Sequence, residues 1–494
     1  MGIIEKQATK NAIYSYLGAA LGFITVMWSS HLLNPDEIGL TRILISISVL
    51  FSQFSGLGFN TVTIRFFPYF RNKDKGHHGF LFYGILVTLA GFLICYCCYF
   101  IFKDQIIQNN LQKSKLFVDY LFYLMPLTLF TLFFNLFDSY LRASFNSVIG
   151  SSSKEFTQRI LILTSLFLYF IKAIDFNIFI FLYLISTCIP TLILLYYIIK
   201  LDEWHVKPVR GFVSKELRIE IIKLSFYSIL SGSAGVLISN IDIIMVNQKL
   251  GLTQTGIYGI AFYFGTIIMI PSRALGRIAV GVISESFKKE NIDEIKSLYK
   301  KSCNSQLAIG LLLYTGIWVN IDNIMHLLPP EYAAGKNVIL LIGAGYLIDM
   351  ATGINYLILL NSKFYRYDMY FMVFILFLTI LSNYVLIPIY GIEGSAMATA
   401  ITIAGYNVLR WVFLYVKLRM QPYDSNTIKL LAIGVISFLP GYFLPQINTL
   451  FLDIAIRSTM VGGLFILLMF KSKAAPEINN KIEKNLKHIP FLSK

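Results

Sequence analysis

Two arginines four residues apart interrupt a long apolar stretch of the chain. The segment IMIPSRALGRIAVG, residues 268–281, places Arg273 and Arg277 just after Pro271. Residues at this spacing share one face of an α-helix, where like charges repel, and the proline removes a backbone hydrogen bond and predicts a kink. An anion such as a phosphate would relieve the repulsion, whereas Arg277 could instead snorkel to the lipid headgroups. Both arginines are therefore candidate phosphate contacts.

Carboxylates also occur inside apolar segments. Asp349, in GAGYLIDMATGINY, lies near the middle of its segment, and Asp242, in SNIDIIMV, lies nearer one end. A charged side chain at the centre of a membrane helix costs about 2.5 to 3.5 kcal/mol on insertion scales, so such residues usually face a wet cavity or a partner. We expect Asp349 either to pair with an arginine or to take up a proton or a sodium ion. Asp242 is a second candidate for cation coupling.

Further charges sit near the ends of apolar segments. Asp138 and Arg142 are four residues apart, which favours an ion pair within one helix; otherwise Arg142 is a candidate substrate contact. Arg42 could also meet a substrate, and a surface position is an equal alternative. Arg410 and Arg457 are expected at the membrane interface.

No metal or cofactor site is predicted. His77 and His78 are adjacent in RNKDKGHHG, a spacing with poor geometry for one metal ion. The five cysteines of the chain lack the paired spacing of a zinc site or of an extracellular disulfide framework. We expect free thiols and no resident metal.

These residues must be positioned by membrane helices. Of 494 residues, 56% are hydrophobic and only 14% are charged, whereas about a quarter of a soluble domain is charged. Fourteen apolar windows approach or exceed the roughly 20 residues that cross a bilayer. They are residues 13–33, 39–64, 80–102, 117–141, 160–174, 177–199, 224–246, 256–283, 305–326, 337–361, 369–390, 392–416, 428–445 and 452–470. The predicted fold class is an all-α integral membrane protein with about fourteen transmembrane helices.

The distribution of Lys and Arg predicts the orientation. With the N-terminus inside, most of the 42 basic residues fall in the inward connections and the tail, as the positive-inside rule requires. Both termini are therefore expected in the cytoplasm, with the protein in the plasma (inner) membrane. The net charge of +15 then reflects contact with anionic membrane lipids, and no nucleic-acid partner is needed.

The chain contains an internal repeat. The segment KNAIYSYLGAALG (10–22) aligns with KLSFYSILSGSAG (223–235), and Gly39 and Gly256 keep nearly the same separation. Six windows separate the repeats, and because six is even, the two halves have parallel topology. Parallel repeats are typical of transporters that rock one half against the other.

The repeat predicts the domain organisation. Two six-helix lobes should be followed by a pair of helices outside the repeat. The predicted divisions are 1–223 for the N-lobe, 224–420 for the C-lobe, and 421–494 for the last two helices and a basic cytoplasmic tail.

Four segments resemble a known family. KLGLTQTGIYGIAFYF (249–264), LPPEYAAGKNVILLIG (328–343), LIPIYGIEGSAMATAIT (386–402) and LLNPDEIGLTRI (32–43) are similar to segments of the polysaccharide transporters of the MOP exporter superfamily, the lipid-linked oligosaccharide flippases. The resemblance implies two six-helix bundles around a central cavity, often lined by cationic residues. It also implies export of a polyprenyl-diphosphate oligosaccharide.

The expected function is therefore that of a flippase. It would carry an O-antigen or capsule/exopolysaccharide unit to the outer face by alternating access, coupled to H⁺ or Na⁺ and working with a glycan polymerase. One alternative is a multidrug/cation antiporter of the MATE type, which would prefer an acidic cavity. An integral-membrane glycan enzyme is disfavoured, because the predicted outer loops are short and no nucleotide-binding fingerprint is present. We expect no enzymatic activity.

Overall fold

The computed structural model describes residues 3–209 and 211–480, apart from the side chains of residues 3–9, 12, 230, 231, 274, 277 and 278. The described residues form helices joined by connections, without strands. It forms two compact units, Met1–Gly259 (unit 1) and Ile260–Lys494 (unit 2). The predicted all-α membrane fold is confirmed, while the predicted lobe boundary after residue 223 stays a prediction.

Unit 1 contains ten helices and the start of an eleventh among its described residues. They are α1 (Ile3–Leu32), α2 (Pro35–Ser55), α3 (Phe59–Phe70), α4 (Phe80–Asn110), α5 (Lys115–Asp119), α6 (Leu124–Ala143), α7 (Ser147–Ser152), α8 (Gln158–Phe170), α9 (Phe176–Lys200), α10 (Lys215–Leu250) and α11 (Leu252–Thr266). A π-helical turn, Ser153–Thr157, joins α7 to α8. Two buried, aromatic-rich and aliphatic clusters form the core of this unit.

Unit 2 holds the remaining helices of the described chain. They are α12 (Ile270–Lys288), α13 (Ile292–Val319), α14 (Ile321–Leu327), α15 (Lys336–Ala351), α16 (Asn355–Asn361), α17 (Tyr365–Leu418), α18 (Ser425–Phe443) and α19 (Leu450–Ser472). The last two helices pack on α13, around a core that includes Leu307, Leu430 and Phe465.

The predicted window 39–64 is not one helix. The α2 helix ends at Ser55 and α3 begins at Phe59. Between them Gly58 adopts φ 71°, a left-handed conformation that glycine tolerates far better than other residues. A Cβ at Gly58 would also overlap the carbonyl oxygen of Ser225 in α10. The break therefore coincides with a close helix contact, which the apolar composition of the window conceals.

The 54-residue helix α17 is a hairpin of two helices. Its chain reverses at Gly391, which has φ 60° and ψ −135°. Arg410 hydrogen-bonds to Asp368, 42 residues earlier, although a straight helix would hold these residues about 63 Å apart. The hairpin arms correspond to the predicted windows 369–390 and 392–416.

Eleven helices in the described chain are long and apolar enough to cross a membrane, with α17 counted once. The pair α13 and α14, bent by 63°, makes a twelfth. The predicted fifth window falls on α8, which has only 13 residues. The membrane-protein class is therefore established, but the count of fourteen spans is not.

Repeat-related glycines meet within unit 1. A Cβ at Gly256 would overlap the carbonyl oxygen of Pro35 and lie 3.1 Å from the backbone nitrogen of Gly39. Beside this contact, the Thr253 hydroxyl donates to Asp36 Oδ1 at 2.6 Å. Asp36 and Thr253 have the same separation in sequence as Gly39 and Gly256. The starts of α2 and α11, equivalent in the repeat, are thus in backbone contact.

Gly256→Ala should destabilise the protein, because the added methyl group must push α11 away from Pro35. We expect a cost of about 1 to 3 kcal/mol, as for overpacking elsewhere, seen as a lower unfolding temperature in detergent. Gly463→Ala is the matched control, because a Cβ there meets nothing within 4 Å. Since alanine is the better helix former, that control should be neutral or slightly stabilised. Equal unfolding temperatures for the two variants would contradict the close contact.

Candidate functional site

Arg273 lies at the start of α12, just after a break in the apolar window. A 3₁₀ turn, Ile267–Met269, separates α11 from α12, and Pro271 occupies the first turn of α12. The predicted kink at the proline stays a prediction. The side chain of Arg273 is exposed. Next to it, the Ser272 hydroxyl donates to the buried Gln306 at 3.0 Å. The side chain of Arg277 is outside the described part of the structure, so its predicted role stays a prediction.

A network of polar side chains, here the α15–α17 polar cluster, surrounds Asn407 in unit 2. The Asn407 amide donates to Asp349 Oδ1 at 2.8 Å. Its carbonyl oxygen accepts from Thr352 at 2.8 Å and from Asn355 at 3.0 Å. Because two donors face the carbonyl oxygen, the amide nitrogen must point at Asp349. Asp349 therefore accepts a hydrogen bond that joins α15 to α17.

The same cluster contains a buried ion pair that the sequence did not predict. Arg410 Nε and Nη2 lie 2.8 and 3.2 Å from the two oxygens of Asp368. The guanidinium also stacks on Tyr406, 3.6 Å from the ring centroid. Bidentate pairing of this kind is both strong and directional. The structure buries Arg410 between the arms of the α17 hairpin, and its expected position at the membrane interface stays a prediction.

The pairing of Arg410 with Asp368 is relevant to the predicted role of Asp349, which lies in the same cluster. Of the two predicted alternatives for Asp349, an arginine partner or cation uptake, neither is settled. The arginine of this cluster forms its bidentate pair with Asp368, and the hydrogen bond to Asp349 comes from an amide. A carboxylate held by a neutral donor retains the ability to bind a proton or a small cation, so Asp349 remains a candidate coupling residue.

Unit 1 has its own concentration of charges, here the α6–α8 charge cluster. Arg142 Nη2 lies 3.1 Å from Asp138 Oδ2, so the predicted pair within α6 is confirmed. On the facing helix, Arg159 pairs with Glu155 at 3.1 Å. Lys154 lies 4.9 Å from the ring centroid of Phe134. With three basic and two acidic side chains, the cluster carries a net positive charge.

Two glycines make room for these carboxylates. A Cβ at Gly150 would overlap Asp138 Oδ1, and a Cβ at Gly18 would lie 2.7 Å from Glu155 Oε2. The helices α7 and α1 therefore pack directly on the acidic side chains. The π-helical turn holds Lys154 and Glu155 at this point, and such turns are frequent at functional sites.

Lys154, Glu155 and Arg159 are functional candidates that the apolar windows do not include. The fifth window begins at residue 160, so these residues fall in a predicted connecting loop. In the structure, helical backbone already begins at Ser147. The segment SSSKEF has few apolar residues, so hydropathy alone does not reveal its helix, and an i, i+4 pairing of Glu155 with Arg159 was the one available signal.

Asp242 and Arg42 both lie in unit 1. Asp242 is only 4% exposed, and one of its oxygens accepts a hydrogen bond from Tyr258 at 3.1 Å. Arg42 is half-buried, and its stem packs over Gly259, where a Cβ would lie 3.1 Å from Arg42 Cγ. The small residue in α11 thus lets the arginine of α2 lie flat. The predicted roles of Asp242 in cation coupling and of Arg42 in substrate contact stay predictions.

Arg457 is also buried, and its expected position at the membrane interface stays a prediction. Its Nε donates to Asp453 Oδ2 at 2.6 Å, and its Nη2 donates to the Leu444 carbonyl at 2.9 Å. Asp453 in turn accepts from Asn323 at 2.6 Å. These bonds tie α19 to α14 and to the end of α18 and identify a structural pair. Across the described residues, no group of three His, Cys, Asp or Glu side chains could hold a metal ion.

Comparisons with known proteins agree with this architecture. A family model described as polysaccharide biosynthesis protein matches residues 6–284. A structure titled "Lipid II flippase MurJ, inward closed conformation" has a TM-score of 0.71 at 13% identity, over 94% of this chain and 99% of that one.

Two structures of a multidrug resistance MATE family transporter of the MOP superfamily are also similar, each at 13% identity. The inward-facing form has a TM-score of 0.62 over 83% of this chain and 94% of that one. The outward-facing form has a TM-score of 0.54 over 84% and 95%. No curated protein sequence matches the chain significantly. At these identities the likeness concerns the fold alone.

Arg410→Met should destabilise the protein strongly, because it leaves Asp368 buried without its cation. Breaking a buried pair costs about 3 to 5 kcal/mol, whereas replacing both partners by apolar residues is often nearly neutral. The double variant Arg410→Met/Asp368→Leu should therefore recover most of the unfolding temperature in detergent. A double variant as unstable as Arg410→Met would contradict this account of the pair.

Proposed function

The chain belongs to the polysaccharide biosynthesis protein family, within the MOP superfamily of transporters, and we propose that it is a flippase for a polyprenyl-diphosphate-linked oligosaccharide. It would export an O-antigen or capsule/exopolysaccharide unit across the plasma (inner) membrane, with both termini in the cytoplasm. The observation that carries the proposal is the exposed Arg273 at a break in an apolar window. An exposed guanidinium at such a position can bind the phosphates of an anionic lipid head group. The proposed activity is a translocation without a covalent step.

The charge of the head group supports export. Moving one elementary charge through 100 mV is worth about 2.3 kcal/mol. An inside-negative potential therefore favours outward movement of a diphosphate with two charges by roughly 4 to 5 kcal/mol. The protein must offset the cost of removing those charges from water, and we assign this task to Arg273 in unit 2. Arg277 and Arg42 are further proposed contacts.

The α6–α8 charge cluster is a second basic surface, in unit 1. It includes Arg142, the remaining proposed substrate contact. By the predicted orientation it lies toward the cytoplasmic end of α6, where an anionic head group arrives. Its carboxylates keep the basic side chains ordered and limit the net charge. A modest positive surface attracts a diphosphate without holding it so tightly that release becomes slow.

Alternating access requires a contact that opens. We propose that the starts of α2 and α11 form an outer gate, defined by Asp36, Gly39, Thr253 and Gly256. One short hydrogen bond and glycine contacts hold it together, and such contacts separate without exposing a large apolar surface. Cation uptake at Asp349 or Asp242 is the proposed means of resetting the empty carrier. Glycan polymerases are the proposed partners that receive the cargo.

A cation or drug antiporter of the MATE type is the second candidate. The observation in its favour is the pair of carboxylates in separate units, Asp242 held by Tyr258 and Asp349 held by Asn407. Such an antiporter would need these acids to bind its cargo or its coupling ion. The excess of basic side chains in the α6–α8 charge cluster favours the flippase.

Loss of the gene should strand lipid-linked oligosaccharide on the cytoplasmic face and leave drug resistance unchanged. Arg273→Ala should fail to restore surface glycan, because the diphosphate loses its main cationic contact, while the amount of folded protein stays normal. Arg366→Ala, which removes an exposed arginine near the start of α17, is the control and should restore export. Surface glycan is measured by labelling intact cells.

Two results would count against this proposal. Normal surface glycan together with new drug sensitivity in the deletion strain would favour the antiporter. Full export by Arg273→Ala at normal protein levels would remove this arginine from the binding site.

Locking the outer gate should stop transport. In a background without native cysteines, Asp36→Cys with Thr253→Cys places two thiols where the wild-type side chains hydrogen-bond, so a short thiol crosslinker can join them. We expect export to fall after crosslinking and to return when a cleavable linker is reduced. Asp36→Cys alone is the control. Undiminished export by a fully crosslinked double variant would show that this contact does not open.

A further inference from the structure

Two loops at one end of unit 1 enclose a pocket of about 510 Å³, a volume typical of small-ligand sites. One loop, Lys73–Gly79, precedes α4. The other, residues 201–214, connects α9 to α10 and so joins the two predicted lobes. We call this space the linker pocket.

The walls of the linker pocket are held by direct contacts between the two loops. The Tyr83 hydroxyl donates to the Val209 carbonyl at 2.8 Å. The His78 ring stacks on Phe212 with ring centroids 3.6 Å apart. Gly79 has φ 72°, and a Cβ there would lie 2.6 Å from the Lys207 carbonyl oxygen. Contacts between the two loops therefore shape the pocket without a ligand.

Basic side chains line the linker pocket. Lys75 and Lys207 are exposed, and the described lining residues include no carboxylate. His205 also lines it, and its Nε2 has no hydrogen-bond partner within the described structure. Ammonium and imidazole groups converging from two loops are suited to an anion with several acceptor oxygens.

Two carboxylates of the connection between α9 and α10 pair with residues outside the pocket. Glu203 lies 2.8 Å from His77 Nε2, and Asp202 lies 3.7 Å from Lys73. Burial raises the pKa of Glu203, but hydrogen bonds from His77 and Tyr140, with the charge of Lys73, outweigh burial and lower that pKa below its ordinary value. Glu203 is thus ionised and paired outside the pocket, and it leaves the lysines of the pocket to a ligand.

The position of the pocket points to a lipid as the source of the anion. It lies where α4 begins and α9 ends, close to Lys200, which approaches the rings of Tyr196 and Tyr197 at 5.8 Å. Trp204 lines the pocket and is 37% exposed. Exposed Trp and Tyr beside Lys mark the membrane–water boundary, where the phosphates of anionic lipids are concentrated.

We propose that the linker pocket binds the phosphate headgroup of an anionic phospholipid. Lys75 contacts the phosphate from one loop and Lys207 from the other, so the lipid bridges the interlobe connection to the start of α4. Trp204 packs along the glycerol and upper acyl region. The bound lipid would hold residues 201–214 in place and make the connection sensitive to membrane composition. This proposal does not depend on the identity of the transported cargo.

Native mass spectrometry of the detergent-solubilised full-length protein tests the proposal, with phosphatidylglycerol and phosphatidylcholine as the added lipids. The wild type should retain phosphatidylglycerol in preference to phosphatidylcholine. Lys75→Gln/Lys207→Gln should lower the affinity for phosphatidylglycerol roughly 30-fold, the loss expected when two lysines near an anionic headgroup are neutralised.

Two further variants separate the site from general charge effects. Lys363→Gln/Lys417→Gln removes two exposed lysines elsewhere and should leave lipid retention unchanged. Lys75→Arg/Lys207→Arg keeps the charge and should bind like the wild type, which excludes misfolding as the cause of the loss.

Three outcomes would overturn the proposal. One is equal retention of phosphatidylglycerol by the wild type and Lys75→Gln/Lys207→Gln. Another is an equal loss in the Lys363→Gln/Lys417→Gln control. The third is displacement of the lipid by millimolar inorganic phosphate, with phosphate alone raising the unfolding temperature of the wild type, because the site would then bind free anions.

Discussion

The constraint on which this structure depends is that hydrocarbon offers no partner to a polar group. Charged side chains within apolar helices must therefore pair with other protein groups, be hydrated in a cavity, or contact a ligand. Arg410 and Arg457 pair with Asp368 and Asp453. The Arg410 pair joins the two arms of α17, whereas Arg457 and Asp453 both lie in α19 and reach α14 and the end of α18 through further hydrogen bonds. These pairs hold the scaffold together. Arg273 is exposed on the same scaffold, and we propose that it contacts the anionic cargo.

Close helix contacts let this scaffold change shape. The starts of α2 and α11 meet through glycines and a short hydrogen bond, whereas Arg410 and Asp368 in unit 2 form a bidentate pair. We propose that the buried ion pairs keep the helix bundles rigid, while the weaker contact between the repeat-equivalent helix ends separates during transport.

Hydropathy was sufficient to predict the membrane fold, because a bilayer imposes length and composition on every span. The i, i+4 pair of Asp138 and Arg142 was predictable for the same local reason. The pairing of Arg410 with Asp368 was not, since it depends on the reversal at Gly391, and apolar composition does not show where a helix turns back. The π-helical turn that positions Lys154 and Glu155 was also hidden, because a polar segment carries no hydropathy signal for a helix.

The central claim is that this protein carries the anionic head group of a lipid-linked oligosaccharide across a membrane. Purified protein in liposomes that contain such a lipid, isolated from the native cells, tests it most directly. The measurement is the fraction of lipid-linked sugar that a membrane-impermeant oxidant reaches from outside. The account predicts rapid access to sugar from both leaflets with the wild-type protein and slow access with empty liposomes. Access no faster than in empty liposomes, from protein shown to be folded, would contradict it.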